Sequence, residues 1–276
     1  MAPTPFAVAS ALVVVLVAST SYTVGWGFPA PGERRATDHS PQLPRAQEEG
    51  AAEARNASQG KGAHVFFVLD RSGSISAIAE EVVKGFNDFV AEQRSQPGRM
   101  RMTLLQFNAE DPHEVVFESR DIKDVPLLTL TTFQPRGGTP LYDALGHALT
   151  EAEKSHVDDE RIVMVTFTDG LENASREHSR NSIFERIADK RKAGWAFVFL
   201  GANQDSYGAG GSLGYGSSNI QNFAFDGEGT KAAFGSVSEA VTRMKYHMMH
   251  NREAYDSEDF FEGVKLAEAD YQSRGQ

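Results

Sequence analysis

Residues 64–74 read HVFFVLDRSGS, a run of apolar residues that stops at an acidic residue followed by two serines. The apolar run has the continuity of a β-strand that is buried on both faces, which is typical of parallel sheets. Asp70, Ser72 and Ser74 follow this strand directly, and Gly73 allows a tight turn between the serines. The stretch therefore predicts a buried strand with oxygen-bearing side chains at its carboxyl end.

Further strands and amphipathic helices alternate along the rest of the chain. Strands are predicted over 102–107, 114–118, 162–167, 195–200 and 222–225. Four helices are predicted from residues at helical spacing, namely Ile75, Ile78, Val82, Phe86 and Phe89, then Leu141, Leu145, Ala148 and Ala152, then Ile183, Ile187 and Arg191, and last Phe234, Val237, Val241, Met244 and Met248. This order predicts an α/β fold with a doubly wound, mostly parallel six-strand sheet, one short antiparallel edge strand at 114–118, and helices on both faces.

Two more loops bring oxygen atoms to the same predicted edge of the sheet. Residues 137–140 read GGTP just before a helix, and residues 168–170 read TDG straight after a strand. Ligands of doubly wound sheets bind outside the carboxyl ends of the strands, where the strand order reverses. Five residues of the three loops are therefore candidate metal ligands: Asp70, Ser72, Ser74, Thr139 and Asp169.

These residues resemble the von Willebrand factor A family, whose metal-ion-dependent adhesion site is Asp-x-Ser-x-Ser, then a threonine, then an aspartate. All five positions match in this order, and the resemblance covers about residues 64–250. It implies that the hydroxyls bind the ion directly and that the aspartates bind it directly or through water. It also implies one open coordination position, which accepts an Asp or Glu carboxylate from a partner protein.

The ligand types favour a hard cation. The chain has no cysteine, so a metal must sit on oxygen or imidazole ligands. Mg²⁺ prefers six oxygen ligands and keeps several waters, with Mn²⁺ or Ca²⁺ as alternatives. Three neutral hydroxyls and two carboxylates would leave such an ion electrophilic.

Each feature also has a simpler interpretation. Ser74 or Ser76 could cap a helix, and Asp169 with Gly170 could form an ordinary turn. The glycine-rich segment 208–216 lacks the Gly-Lys-Ser/Thr ending of a phosphate loop, so we interpret it as a flexible surface loop. Met244 and Met248 are interpreted as core residues rather than metal ligands.

The sequence predicts a non-enzymatic, adhesion- or scaffold-type binding module that is Mg²⁺-dependent. An accessory subunit that docks onto a partner ATPase is one alternative, and a metal-dependent hydrolase is another, although no acid or base is placed by motif. The formal charge of −11 excludes nucleic acid as an expected partner. The oligomeric state stays open.

Four segments are predicted along the chain. Residues 1–28 contain the apolar stretch 6–26, which is long enough for a signal peptide or signal anchor, and residues 29–62 form a disordered, proline-rich linker. Residues 63–250 form the domain, and residues 251–276 form a charged tail with room for a short extra helix. The protein is therefore expected to be membrane-anchored or exported, and cytoplasmic only if the start site is misassigned.

Fractionation tests this expectation. Full-length protein with a C-terminal tag should enter the membrane or exported fraction, whereas a variant without residues 1–28 should not, because residues 6–26 carry the apolar signal. Wholly soluble full-length protein that retains Met1 would contradict the prediction.

Overall fold

The computed structural model describes residues 62–250 and 255–274. The predicted segment 1–28 and nearly all of the predicted linker 29–62 lie outside these ranges. Within the described ranges, none of the helices is both long and apolar enough to span a membrane.

The described residues form a sheet of six strands surrounded by helices. The strands are β1 Gly62–Asp70, β2 Met100–Phe107, β3 Glu114–Asp121, β4 Glu160–Thr168, β5 Ala196–Gly201 and β6 Ile220–Asn222. The helices are α1 Ala79–Ser95, α2 Leu141–Ser155, α3 Arg180–Lys192, α4 Ser206–Ser212, α5 Gly227–Met249 and α6 Leu266–Ser273. Short 3-10 helices occupy Gly73–Ile78, Ile122–Asp124, Ser217–Asn219 and Ser257–Asp259.

The strand order is β3-β2-β1-β4-β5-β6, and only the β2–β3 pair is antiparallel. The chain builds outward from β1 to β2 and β3 on one side, then crosses to β4 on the other side. The strand order therefore reverses between β1 and β4. The doubly wound fold with an antiparallel edge strand is confirmed, although β3 has 8 residues and is as long as β2.

Alternate residues of β1 face two separate cores. Val65, Phe67 and Leu69 belong to the core beneath α1 and α5. Phe66 and Val68 belong to the core beneath α2 and α3. Because both faces of β1 are covered by helices, every residue of the strand is buried, as its unbroken apolar run predicts.

The predicted flexible loop over 208–216 is wrong in its first half, since Ser206–Ser212 forms the helix α4. The Asp205 side chain accepts a hydrogen bond from the Gly208 N–H (2.9 Å) and so caps the helix. A Cβ on Gly210 would lie 3.0 Å from Ile220 Cδ1, so the missing side chain lets the helix approach the sheet. Glycine here serves close packing rather than flexibility.

Two further expectations about the end of the chain need correction. The last strand is 220–222, not 222–225. The Phe223 N–H still donates to the Gly201 carbonyl (2.9 Å), but β5 ends at Gly201, so the pairing stops at Asn222 while Phe223 and Ala224 remain buried. The segment after His250 is more than a charged tail: Phe260 and Phe261 join the core beneath α5. The Glu268 carboxylate of α6 accepts a hydrogen bond from the Asn222 N–H (2.7 Å), which fastens this segment to β6.

His64 is a fully buried histidine at the amino-terminal half of β1. Its Nε2 lies 2.9 Å from the Thr103 hydroxyl, and its ring lies against Phe66 with 4.2 Å between the ring centroids. Burial, with smaller contributions from the charges of Arg101 and His156, lowers the pKa of His64 to about 3. The imidazole is therefore neutral in the fold and takes up a proton on unfolding.

This burial predicts a loss of stability in mild acid. The folded pKa lies below the unfolded value of 6.5, so the contribution is intact above pH 6.5 and declines as the pH falls. His64 should cost about 1.4 kcal/mol of unfolding free energy per pH unit below that value. Between pH 6 and pH 5 the free energy of unfolding in urea should fall with this slope in the wild type relative to His64→Phe, a comparison that cancels the pH dependence of every other group. The exposed-site control His250→Gln should keep the pH dependence of the wild type. An equal slope in His64→Phe would contradict the assignment.

Candidate metal centre

Asp70 is the last residue of β1, and its carboxylate is held by two short hydrogen bonds. Its Oδ1 accepts from the Ser72 N–H (2.7 Å), and its Oδ2 accepts from the Thr168 hydroxyl (2.6 Å). The side chain has no exposure to solvent. Because Thr168 ends β4, the bond from its hydroxyl to Asp70 joins the carboxyl ends of the two central strands.

A chain of hydroxyls connects Asp70's loop to Asp169. The hydroxyls of Ser72 and Ser74 lie 3.2 Å apart, and the Ser74 hydroxyl donates to Asp169 Oδ1 (2.9 Å). Four of the five predicted ligands therefore belong to one hydrogen-bonded group, although Asp70 and Asp169 are far apart in sequence.

Thr139 reaches the same edge through the backbone of its loop. The Gly73 N–H donates to the Gly137 carbonyl (2.9 Å), which ties the first loop to the second. The Thr139 N–H donates to Asn173 Oδ1 (2.9 Å), and the Asn173 N–H donates to the Thr139 carbonyl (3.1 Å). A Cβ built on Gly170 would lie 3.5 Å from Thr139 Oγ1, so this hydroxyl lies beside the Asp169 loop. All three predicted loops meet at one edge of the sheet.

The simpler interpretation of the serines as helix caps is not what the structure shows. Ser72 precedes the 3-10 helix Gly73–Ile78 but makes no side-chain capping bond. Ser76 donates its hydroxyl to the Gly73 carbonyl (2.7 Å). The hydroxyls of Ser72 and Ser74 are engaged instead with each other and with a carboxylate.

The two carboxylates are buried close to each other. Burial is the main cause that raises the pKa of Asp70 to about 7, with a smaller contribution from the charge of Asp169 and against the hydrogen bonds from Thr168 and Ser72 that lower it. Burial likewise raises the pKa of Asp169, opposed by the Ser74 hydroxyl. In the described ranges neither carboxylate forms a salt bridge, and the adjacent Arg71 is paired with Glu114. Negative charge at this edge is thus costly without a cation.

The donor set fits a hard divalent cation. All five side chains offer oxygen, the ligand atom that Mg²⁺, Mn²⁺ and Ca²⁺ accept. The second carboxylate oxygen of Asp169 is buried and has no hydrogen-bond partner among the described residues. No group of three or more His, Cys, Asp or Glu in the described part of the chain is arranged to hold a metal, and the present set has only two such residues.

Sequence reasoning missed two residues that position this site. Thr168 belongs to the third loop by sequence, but only its contact with Asp70 Oδ2 shows that it orients the carboxylate. Asn173 holds Thr139 through both of that residue's backbone groups, its N–H and its carbonyl. In the sequence, the one sign of the role of Thr168 is its place beside Asp169 at a strand end. The contact of Asn173 with Thr139 leaves no sign in the sequence.

Comparisons with known proteins agree with the fold. The family model of the von Willebrand factor type A domain matches residues 64–240. No curated protein matches the sequence.

Solved structures share the fold at low sequence identity. PilB minor pilin from Streptococcus sanguinis is 12% identical with a TM-score of 0.54, and the match covers 67% of this chain and 62% of that chain. The vWF domain of the type V pili tip protein Mfa5 from Porphyromonas gingivalis is 12% identical with a TM-score of 0.50, covering 67% and 97%. The pilus adhesin SpaC from Lactobacillus rhamnosus GG, in its open conformation, is 11% identical with a TM-score of 0.55, covering 67% and 30%. The chain thus covers less than two thirds of PilB and of SpaC.

The loop geometry predicts opposite effects for two glycine-to-alanine changes. A Cβ on Gly138 would lie 2.6 Å from Asn173 Oδ1, the acceptor of the Thr139 N–H, so Gly138→Ala should destabilise the protein by about 1–3 kcal/mol. A Cβ on Gly235, inside α5, would meet nothing within 4 Å, so Gly235→Ala should stabilise it by about 0.5–1 kcal/mol. Urea unfolding measures both. Wild-type stability in Gly138→Ala would show that the loop has room and that its contact with Asn173 is not restrictive.

Proposed function

The chain belongs to the von Willebrand factor type A domain family, and from this premise we propose that it is a Mg²⁺-dependent protein-binding module of the adhesion or scaffold type. The observation that carries the proposal is the meeting of three loops at the β1–β4 crossover, with two buried carboxylates bridged by serine hydroxyls. The partner would present an Asp or Glu side chain to this edge.

Each proposed ligand has a defined role. Ser72, Ser74 and Thr139 would hold the ion through neutral hydroxyls, and Asp70 and Asp169 would bind it directly or through water. A bound divalent cation supplies a Lewis-acidic position that accepts a carboxylate oxygen from another protein. Because only two of the five ligands carry charge, such an ion keeps much of its affinity for a further anion.

The net negative charge of the chain explains why binding of an acidic partner would need a metal ion. A protein with a formal charge of −11 repels an acidic partner at long range. A divalent cation at the sheet edge would reverse that repulsion locally and would make recognition depend on the metal. Binding is favoured over catalysis because both carboxylates of the site would be occupied by the ion, so neither is left to act as a general base.

Thermal unfolding tests the metal ligands. Mg²⁺ at 100 times its Kd should stabilise the wild type by about 2.7 kcal/mol, a shift in Tm of roughly 5–10 °C. Asp169→Asn should abolish the shift, because the amide oxygen can still accept from Ser74 but the charge is gone. The control Asp189→Asn changes an exposed carboxylate on α3 and should respond like the wild type.

Affinity capture then tests the partner. Full-length protein should retain its partner in Mg²⁺ and release it in EDTA, and Asp169→Asn should retain none. An unchanged Mg²⁺ response in Asp169→Asn, or partner binding that survives EDTA, would overturn the proposed function.

A further inference from the structure

A cavity of about 240 Å³ lies beside the candidate metal centre. Its walls come from the two loops that carry Thr139 and Asp169, through Leu141 and Leu171, and from the segment that follows β5, through Gln204 and Leu213. The first two leucines each stand two residues after a candidate ligand. The cavity therefore shares these two loops with the edge at which the partner carboxylate is proposed to bind.

The Gln204 side chain offers an unused amide to this cavity. Both its Oε1 and its Nε2 are buried, and neither has a hydrogen-bond partner among the described residues. Buried amides are almost always hydrogen-bonded, because leaving one unpaired is unfavourable. One acceptor and one donor side by side match the N–H and C=O groups of an extended peptide.

Glu172, the charged residue of the wall, is already engaged. Its Oε1 accepts from the N–H groups of Ala174 (2.9 Å) and Ser175 (2.7 Å). Its Oε2 accepts from the Tyr142 N–H (3.0 Å) and the Ser175 hydroxyl (2.7 Å). With four donors satisfied inside the protein, this carboxylate organises the wall and does not define a cation site.

The apolar part of the cavity is open at its rim. The Leu171 side chain is 63% exposed, although it is large and apolar, while Leu141 and Leu213 are buried beneath it. The volume is below the roughly 300–1,000 Å³ of pockets for drug-sized ligands, so it suits a single side chain. An apolar side chain would be covered on one side by Leu171.

We propose that this cavity is the subsite that determines partner sequence, and that it takes an apolar residue one or two positions from the acidic residue bound at the metal. The proposal rests on the proposed function. The amide atoms of Gln204 are buried in the free chain, so the side chain, which is partly exposed as a whole, rotates to bind the backbone of the partner segment. The leucines contact the apolar side chain of that segment. The spacing follows from the protein, since Leu171 is two residues from Asp169 and an extended peptide advances about 3.3 Å per residue.

Peptide binding to the full-length chain tests the subsite. The probes are capped, fluorescein-labelled tetrapeptides Gly-Asp-X-Gly and Gly-X-Asp-Gly, with Leu, Ser or Lys at X, measured by fluorescence polarisation in Mg²⁺ and in EDTA. In Mg²⁺, at least one series should bind about tenfold more tightly with Leu than with Ser. Leu171→Ser should remove this preference, and because Leu171 is exposed the variant should fold normally.

Gln204→Leu should weaken all peptides of that series about tenfold, because the backbone contacts are lost for every X. Gln96→Leu is the matched control, since Gln96 follows α1 immediately before β2 and so lies at the opposite edge of the sheet, and it should bind like the wild type. Mg²⁺-dependent binding that is indifferent to X and to Gln204→Leu would overturn the subsite and leave the proposed function intact. If no peptide binds in Mg²⁺, or if neither EDTA nor Asp169→Asn changes the binding, both the subsite and the proposed function are overturned.

Discussion

The parallel register between β1 and β4 is the constraint on which the site depends. Leu69 pairs with Phe167, so the next residues of the two strands, Asp70 and Thr168, emerge side by side. The strand order reverses between these strands, which leaves their carboxyl ends open to a ligand instead of covered by a connecting loop. A shift of one residue in this register would separate the Thr168 hydroxyl from the carboxylate that it orients.

The site holds two buried carboxylates, Asp70 and Asp169, whose negative charges are unfavourable so close together. Burying a carboxylate is unfavourable unless donors or a cation compensate it, and here two are buried together. The hydroxyls of Ser72, Ser74 and Thr168 supply partial compensation, while the pKa of Asp70 remains raised to about 7. The groups that stabilise the carboxylates are largely the same groups proposed to hold the ion, so stability and metal affinity are coupled.

The position of an unpaired buried polar atom indicates whether it affects stability alone or is available to a ligand. His64 Nδ1 is unpaired among the described residues, but it lies within the sheet, where no ligand can reach it, and its effect is on stability. Asp169 Oδ2 and the Gln204 amide are also unpaired, but they lie at the loop edge of the sheet. Glu172, with four donors satisfied, shows that this edge can saturate a polar group where its role is structural.

The amino-acid sequence predicts the six-strand sheet, four of its helices and their order, because burial on one or both faces leaves a local periodicity, and it predicts oxygen-bearing side chains at the carboxyl ends of the strands. It misjudged the glycine-rich helix at 206–212 and the packing of the chain after His250, because glycine content and charge do not reveal a distant surface. The contacts of Thr168 with Asp70 and of Asn173 with Thr139, and the place of Gln204 in a cavity wall, come from the folded structure. These contacts join residues far apart in the chain, and they follow from register and crossover geometry rather than from any local pattern.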